Sequence, residues 1–162
     1  MDPRQPPLET RHGRRVLDLD RYIPYFLVAL TNAISRGASR VYLDRFGIGI
    51  MDWRVMTTLA IRPGCAGRDI SALIHLDKGA VSRSLSGLAG RGLVRAEGGG
   101  RDPRRRHWQL TEAGRELHDA VLEIALERES RLVEGIPEAE LEVFLAVVRR
   151  MQANLSHLEE ET

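Results

Sequence analysis

Residues 77–90 combine a predicted buried helix face with an outward face that could bind a polyanion. Val81, Leu85 and Leu88 recur at helical spacing, so we expect them to pack inward. The opposite face carries small, cationic and hydroxyl-bearing residues, namely Lys78, Gly79, Ser82, Arg83 and Ser86. Small residues permit close approach, and hydroxyl and guanidinium groups donate hydrogen bonds to phosphates or to base edges. The segment therefore predicts a helix that contacts DNA.

A second cationic cluster lies shortly after this helix, in the loop of a predicted β-hairpin. The strand candidates are residues 93–97 and 106–110, with a glycine turn at 98–100. The cluster consists of four arginines and one carboxylate, namely Arg101, Asp102, Arg104, Arg105 and Arg106. The minor groove of DNA attracts inserted arginines where its negative potential is concentrated. Asp102 would weaken binding if it faced phosphate, so we expect it to orient an arginine through a charge-assisted hydrogen bond.

Two helices are predicted ahead of these clusters. Apolar residues at steps of three and four predict a long helix over residues 19–46, with Pro24 in its first turn and Gly47 as its C-terminal stop. Asp52 is expected to cap a second helix, which ends before Pro63.

A short third helix completes a helix-turn-helix with the helix at 77–90. Ile70, Leu73 and Ile74 mark the third helix, and Asp77 is expected to cap the fourth. Two short helices joined by a tight turn and followed by a hairpin with a cationic tip form a winged helix-turn-helix. In such a motif the second helix enters the major groove, because that groove is about 12 Å wide and admits one helix.

Two further helices are predicted after the hairpin. Thr111 is expected to cap one that continues to about Gly135, and Pro137 to begin the last. The predicted order is ααααββαα, a mainly α fold with a small β-hairpin wing. The terminal helices carry broad apolar faces that a domain of this size has little internal core to cover, so we expect them to be dimerisation helices. Packing of these faces within one chain is the alternative.

The length of 162 residues fits a single domain. We expect a mobile basic N-terminal tail over residues 1–18 and one domain over residues 19–162. Within that domain, the DNA-binding lobe is expected at about 50–111, and the dimerisation helices at about 19–46 and 112–158.

Composition bounds the class and location of the protein. No apolar run reaches the length of a membrane helix, and the N-terminus lacks the apolar stretch of a secretory signal. The single cysteine, Cys65, cannot form an internal disulfide, which fits a reducing compartment. The expected location is therefore the cytoplasm.

The net charge of +1 conceals an asymmetry along the chain. Residues 1–67 hold 10 basic and 6 acidic side chains, residues 68–111 hold 9 and 4, and residues 112–162 hold 5 and 13, so the balances are +4, +5 and −8. Phosphate attraction is screened beyond about 8–10 Å, so a polyanion would dock on the middle segment. Charged residues that merely coat solvated helix faces are the alternative.

These features resemble the MarR (multiple antibiotic resistance regulator) family of bacterial transcription factors over about residues 20–158. Three segments carry the resemblance to the family's recognition helix, wing and start of the dimerisation helix: Asp77-Lys-Gly-Ala-Val-Ser-Arg-Ser-Leu-Ser-Gly-Leu-Ala-Gly-Arg-Gly-Leu-Val-Arg95, Asp102-Pro-Arg104 and Leu110-Thr-Glu-Ala-Gly114. The resemblance implies that Arg104 enters the minor groove beside Asp102, and that Ser82 and Arg83 contact the DNA. It also implies a homodimer built from the first and the last two helices.

The same resemblance implies release from DNA by a small ligand, which binds between the dimer helices and the DNA-reading lobe. The predicted ligand-binding residues are Tyr22, Tyr25, Phe26, Arg40, Trp53 and Met56, with Arg36 as an alternative partner for a carboxylate. Aromatic and methionine stripes at helical spacing are also typical of an ordinary core, so that alternative stays open. The resemblance points to anionic aromatic compounds or their thioesters as inducers. The sequence thus predicts a ligand-responsive repressor that binds a pseudo-palindromic operator as a homodimer.

Two other classes of function compete with this hypothesis. A winged-helix interaction module would bind an acidic protein instead of DNA, and a small hydrolase would use Cys65 and His75. The sequence has no GxSxG, P-loop or glycine fingerprint, so we do not expect an enzyme. Its histidines lack paired ligand spacing, so no metal or cofactor is expected. Cys65 could sense oxidants, but its loop position favours an incidental thiol.

Overall fold

The computed structural model describes residues 5–98 and 106–159, with side chains up to Leu155. Its elements in chain order are β1 (Leu8–Arg11), β2 (Arg14–Leu17), α1 (Ile23–Phe46), α2 (Ile50–Ile61), β3 (Cys65–Ala66), α3 (Gly67–Leu73), α4 (Lys78–Gly90), β4 (Val94–Glu97), β5 (His107–Leu110), α5 (Glu112–Leu132) and α6 (Glu138–Glu159). They fall into two compact units, of which the first ends at Leu122 and the second begins at Glu123. The predicted fold class, mainly helical with a small β-hairpin, is confirmed.

Part of the basic N-terminal segment, which the sequence predicted only as a mobile tail over residues 1–18, forms a β-hairpin. β1 and β2 pair antiparallel, with Leu8 opposite Leu17. Between them His12 and Gly13 both have left-handed backbones, with φ of 50° and 72°. Two consecutive positive φ values match the twist of a two-residue hairpin turn, for which glycine is favoured at the second position. Gly13 was therefore the residue in the sequence that indicated a hairpin turn.

α1 begins slightly later than predicted, at Ile23, and ends where expected. Pro24 lies in its first turn, where a missing N–H costs no helical hydrogen bond. Gly47 terminates the helix with a left-handed φ of 66°, and its N–H donates to the Leu43 carbonyl at 2.9 Å.

The prediction that Asp52 is the N-cap of α2 is wrong. The cap is Gly49, and Asp52 lies at the third position inside the helix. Its carboxylate reaches back to accept a hydrogen bond from the Gly49 N–H at 3.1 Å. The carboxylate therefore pairs the N–H of the cap residue itself, and the helix starts without a polar side chain at the cap.

α3 and α4 form the predicted helix-turn-helix. Asp77 caps α4, and its carboxylate accepts a hydrogen bond from the Ala80 N–H at 2.8 Å. Val81, Leu85 and Leu88 are buried, which confirms the predicted inward face. The large, fully buried side chains of the same unit also include Ile48, Val55, Met56, Leu59, Ile70 and Val121.

The wing is part of a three-stranded antiparallel sheet in the order β3–β5–β4. β4 and β5 lie within the predicted strands, with Val94 opposite Leu110. The sequence did not predict β3, which pairs Cys65 with Trp108 and thereby brings the start of α3 to the hairpin. A strand of two residues has no alternation pattern to recognise. The loop residues 99–105 lie outside the described residues.

Thr111 caps α5, as predicted. Its hydroxyl accepts a hydrogen bond from the Gly114 N–H at 3.1 Å and donates one to the Gly92 carbonyl at 2.7 Å. Gly114 is buried so closely that a Cβ there would lie 1.9 Å from the Leu93 carbonyl oxygen. Only glycine permits this approach of α5 to the backbone of Leu93, the residue before β4.

α5 ends at Leu132, and Gly135 follows with a φ of 80°. α6 begins at Glu138, one residue after the predicted start at Pro137. The Pro137 carbonyl accepts hydrogen bonds from the first turn of α6. Among the described helices, none is long and apolar enough to cross a membrane.

Candidate nucleic-acid interface

A groove of about 690 Å³ runs between α3, α4 and β5 in the first unit. The residues that line it are Gly67, Arg68, Lys78, Val81, Ser82, Leu85, Ser86, Arg106 and Trp108. Val81 and Leu85 are buried and Trp108 is half-buried, whereas the cationic and hydroxyl-bearing side chains are exposed. No carboxylate is among the described residues that line it. The groove thus has an apolar base and a cationic, hydrogen-bonding rim.

Four of the predicted DNA-binding residues meet in this groove. Lys78, Ser82 and Ser86 lie along the exposed face of α4, and Arg106 lines the groove from the position before β5. Burial of the opposite face of α4 fixes this orientation. The periodicity of the helix was sufficient to predict which α4 side chains would point outward.

Gly79 and Arg83 lie instead beside the cap of α4. A Cβ at Gly79 would lie 3.1 Å from Asp77 Oδ2 and 3.3 Å from Arg83 Nη1, so the carboxylate and the guanidinium approach the same point. A larger residue at position 79 would have to displace them. Gly79 therefore permits the close arrangement of cap and guanidinium at the tip of the helix.

The pKa of Asp77 lies below its ordinary value of 3.8. The main causes are the backbone N–H groups of Ala80 and Gly79, which stabilise the ionised form, and the charge of Arg83 acts in the same direction, while desolvation opposes them. The carboxylate is therefore ionised at neutral pH. The negative charge lies beside the helix N-terminus and Arg83. It therefore interacts favourably with the helix dipole.

Four predicted wing residues, Arg101, Asp102, Arg104 and Arg105, lie outside the described residues. The strands that carry their loop are in place, since β4 and β5 pair over their full length.

Sequence reasoning missed two side chains of the groove, those of Arg68 and Trp108. Both are brought there by the pairing of β3 with β5, in which Cys65 lies opposite Trp108. Arg68 is exposed and forms an ion pair with Asp69 at 3.4 Å. The sequence did contain one signal, an aromatic residue two positions after a run of three arginines.

Polar contacts hold α4 to the helices before it. The Ser84 hydroxyl donates to the Asp52 carboxylate of α2 at 2.6 Å. Arg91, which follows α4, donates to the Gly47 and Phe46 carbonyls at the end of α1, at 2.8 and 3.1 Å. Arg91 therefore pairs carbonyls that have no partner within α1, at the end where the helix dipole favours a cation.

The predicted ligand-binding residues do not meet in one described cavity. The rings of Tyr25 and Phe26 contact each other edge to face, with 6.1 Å between their centroids, and each residue is 49% exposed. Met56 is fully buried in the core. The ring of Trp53 stacks on that of His118, with 5.1 Å between their centroids. Tyr22 precedes α1, and Arg40 lies within it.

The described residues do not form a catalytic arrangement around Cys65 and His75, nor a metal site. Cys65 is a free, half-buried thiol in β3, and His75 lies in the turn after α3 with a φ of 49°. Within residues 5–98 and 106–159, no three His, Cys, Asp or Glu side chains are grouped as they would be to hold a metal ion.

A helix-turn-helix, a hairpin after its second helix and a cationic groove between them define a winged helix-turn-helix protein of the DNA-reading class. Residues 46–105 match the family model described as "MarR family". A MarR/EmrR family transcriptional regulator from Acinetobacter sp. ADP1 is 30% identical, with 87% of this chain and 99% of that one covered and a TM-score of 0.80. The chain belongs to the MarR family of transcriptional regulators. This confirms the resemblance noted in the sequence.

Two more distant structures share the fold. The S. aureus MepR–DNA complex is 23% identical, with 84% of this chain and 98% of that one covered and a TM-score of 0.71. The PcaV regulator from Streptomyces coelicolor, in complex with its natural ligand, is 20% identical, with 85% and 96% covered and a TM-score of 0.70. No curated protein sequence matches the chain. Since family members are transcription regulators, membership confirms the expectation that the chain is not an enzyme.

Proposed function

We propose that the protein is a ligand-responsive repressor that binds a pseudo-palindromic operator as a homodimer. The observation that carries this proposal is the groove between α3, α4 and β5, where cations and hydroxyls line the rim and no described carboxylate does. The MepR structure, which contains DNA, has the same fold and supports this assignment.

In this proposal α4 lies in the major groove with its N-terminal half against the bases. Ser82 and Arg83 contact base edges, and Ser86 approaches the backbone further along the helix. Lys78, at the first position of α4, and Arg68, across the groove, bind phosphates. These two cations fix the position of the helix but carry no sequence information.

The wing supplies the second set of contacts. Arg106 at its base lines the described groove, and we assign Arg101, Arg104 and Arg105 to the adjacent minor groove, with Asp102 as the orienting carboxylate of Arg104. Substitution of Arg104 by alanine should weaken DNA binding strongly and leave the fold intact.

The homodimer is supported by two apolar faces, each of which is exposed in the single chain. On α1, Leu27, Leu30 and Ile34, which share one helix face, are 37%, 47% and 37% exposed. On α6, Val143, Phe144 and Val147 are 64%, 51% and 45% exposed. Apolar helix faces of this extent are typical of interfaces. A two-fold dimer would place its reading helices about 34–36 Å apart, which requires a pseudo-palindromic operator.

The effector in this proposal is a small, anionic aromatic molecule that favours the arrangement unable to bind DNA. PcaV, which has the same fold, is described in complex with its natural ligand, and this supports a ligand-binding role. The six residues Tyr22, Tyr25, Phe26, Arg40, Trp53 and Met56 remain the predicted ligand-binding set.

The first test is binding to DNA selected from a random pool, measured over a salt series. If Arg68, Lys78 and Arg106 of both protomers contact phosphate, the slope of log K against log salt should be about −5. Arg68→Ala should reduce its magnitude by about 2, whereas Arg45→Ala, an exposed arginine of α1, should leave it unchanged. A slope of zero would refute phosphate contact, and capture of an acidic protein after nuclease treatment would favour the interaction module.

Lys78 is the single lysine of the chain, which provides a direct probe of the interface. Acetylation with an amine-specific reagent should modify Lys78 in the free protein, and selected DNA should protect it. Mass spectrometry distinguishes this site from the α-amino group, which serves as the internal control. Equal modification with and without bound DNA would remove Lys78 from the interface.

A further inference from the structure

The side chain of Arg83 extends toward the start of α4, the proposed reading helix. Side chains of a helix lean toward its N-terminus, and residues four positions apart share a face. Arg83 therefore lies over Gly79, and its Nη1 atom would be 3.3 Å from a Cβ at that glycine. The guanidinium thus reaches the first turn of α4, which is the part of a reading helix that meets base edges.

Asp77 places a fixed negative charge beside this guanidinium. Its carboxylate accepts a hydrogen bond from the Ala80 N–H at 2.8 Å, and its Oδ2 atom would be 3.1 Å from the same Cβ at Gly79. The two oppositely charged groups therefore approach one point from two sides, where glycine leaves room for both. The backbone hydrogen bond fixes the carboxylate, whereas a long arginine side chain rotates about several bonds. The carboxylate can therefore restrain the guanidinium.

The attraction between the two groups leaves the donors of Arg83 available. After the backbone N–H groups of Ala80 and Gly79, the charge of Arg83 also lowers the pKa of Asp77, so the two side chains interact. No ion pair among the described residues joins them, and none takes up the Arg83 guanidinium. Arg83 is also exposed. Its N–H groups are therefore drawn to one place while they remain available to a base.

Guanine is the base whose major-groove edge fits such an arginine. It presents two acceptors, O6 and N7, and one guanidinium can donate to both at once. Adenine presents N7 beside an amino donor, so it offers only one acceptor to the same group. An arginine that moves freely would also donate to phosphate, which carries no sequence information. Discrimination between bases therefore requires that the guanidinium be held toward the base edges.

The carboxylate of Asp77 provides this restraint in two ways. It attracts the guanidinium to the tip of α4, and its negative charge opposes the approach of a phosphate to the same place. We propose that Asp77 is a positioning residue for base reading, which holds Arg83 over Gly79 so that Arg83 donates to O6 and N7 of a guanine in each half-site. This inference rests on the DNA-binding function proposed above, and it names the base that α4 selects.

The first experiment identifies the guanine. The full-length protein binds a site selected from a random DNA pool, and each guanine of that site is replaced in turn by 7-deazaguanine, which keeps O6 and lacks N7. Replacement at one symmetric position should weaken wild-type binding about tenfold, as expected for the loss of a hydrogen bond from a charged donor. The same replacement should have no effect in Arg83→Gln. If every replacement affects both proteins equally, Arg83 does not read guanine and the proposal is wrong.

Asp77→Asn separates positioning from helix capping. Asparagine also caps a helix, so α4 stays formed without the charge of the carboxylate. The preference for guanine over 7-deazaguanine should fall from about tenfold to about threefold, because the restraint on Arg83 is lost. Affinity for DNA without the selected site should rise, since no carboxylate opposes phosphate. A merely structural role would lower both affinities together and keep the preference, and that result would contradict the proposal.

A control and a double variant show how Asp77 acts. Asp44→Asn, at an exposed position of α1, removes the same charge elsewhere and should leave the base preference unchanged. Because Asp77 acts through Arg83, adding Asp77→Asn to Arg83→Gln should not change the base preference further. A further change in the double variant would mean that Asp77 contacts the DNA itself, and it would then not be a positioning residue.

Gly79→Ala tests the space between the two charged groups. Its Cβ would lie closer to Oδ2 of Asp77 and Nη1 of Arg83 than side chains ordinarily approach, so the guanidinium should be displaced. The preference for guanine should therefore fall. The thermal midpoint should not fall with it, because alanine favours a helix more than glycine does. An unchanged preference would show that the guanidinium is not held over Gly79.

A measurement without DNA tests the interaction between the two side chains directly. The carboxyl carbon of Asp77 is titrated by NMR in the wild type and in Arg83→Gln. The pKa of Asp77 should be higher in the variant, because the cation that favours the ionised form is gone. An equal pKa in the two proteins would refute the restraint, whether or not DNA is bound.

The two proposals fail in different ways. If the protein binds selected DNA but no guanine N7 matters to the wild type alone, the role of Asp77 and Arg83 is wrong and the DNA-binding function stands. If no DNA is bound at low salt, the proposed function is wrong and the assignment of guanine falls with it, even where the NMR titration shows that the two side chains interact.

Discussion

The carboxylate of Asp52 joins the first helix of the reading lobe to the reading helix itself. It accepts hydrogen bonds from the Gly49 N–H at 3.1 Å and from the Ser84 hydroxyl at 2.6 Å. Ser84 is 6% exposed and lies on the inner face of α4. The contact therefore adds to the burial of the inner face of α4, which turns Ser82 and Ser86 outward.

The first prediction concerns this pair. Asp52→Ala should lower the free energy of unfolding by about 2 kcal/mol, because it removes the hydrogen bond at the helix start and leaves the buried Ser84 hydroxyl without an acceptor. Ser84→Ala should cost about 1 kcal/mol. The double variant should be less destabilised than the sum by about 1 kcal/mol, measured by urea denaturation.

Asp69 offers a matched control for Asp52. Its carboxylate accepts from the Ala66 N–H at 3.3 Å at the start of α3, and its described partners include no hydroxyl of another helix. Asp69→Ala should therefore cost only about 0.5–1 kcal/mol. Equal losses at both positions, or additivity of the Asp52 and Ser84 changes, would show that the link between the helices contributes nothing.

The second prediction concerns Gly114. Since a Cβ there would lie 1.9 Å from the Leu93 carbonyl oxygen, Gly114→Ala must displace either α5 or the wing strand. We expect a loss of about 3 kcal/mol or more, at the upper end of overpacking effects. Gly87→Ala is the control, because a Cβ at Gly87 on α4 meets nothing within 4 Å. Alanine there should stabilise the helix by about 0.5–1 kcal/mol, so a similar effect of the two changes would contradict the close approach.

The elements that local chemistry determines could be predicted from the sequence. α4 combines a capping carboxylate at Asp77 with apolar residues at helical spacing, and both signals lie within the segment itself. Thr111 acts in the same way for α5. Asp52 misled the prediction because a carboxylate at the cap and one at the third position give similar sequence signals.

The features that depend on distant pairing could not be predicted. Arg68 and Trp108 share a groove only because β3 pairs with β5, and the two residues of β3 show no pattern. The exposure of Ile61, at 74%, and of Leu73, at 41%, is likewise a property of the packed chain. Periodicity assigned apolar residues to helix faces, but it could not show which of them stay uncovered.

The third prediction tests the proposed dimer through α6. Phe144 is 51% exposed in the single chain, so Phe144→Glu should leave the fold of the protomer intact while placing a charge in the proposed interface. Sedimentation analysis should show a monomer, and DNA affinity should fall at least about tenfold because one protomer holds only a half-site. Glu142→Gln, an exposed change on the same helix, should remain dimeric. A dimeric Phe144→Glu protein would exclude this face of α6 from the interface.

The fourth prediction follows from the lowered pKa of Asp77. Because the folded protein favours the ionised carboxylate, its stabilising effect is complete at neutral pH and is lost as the pH falls below the ordinary value of 3.8 toward the lower folded value. Asp77→Asn keeps a good capping residue that does not titrate. The thermal midpoints of the two proteins should therefore run parallel above about pH 5, and that of the wild type should fall more steeply below about pH 4. Parallel curves over the whole range would contradict the prediction. They would mean that the hydrogen bonds from the Gly79 and Ala80 N–H groups are equally strong to a charged and to a neutral cap.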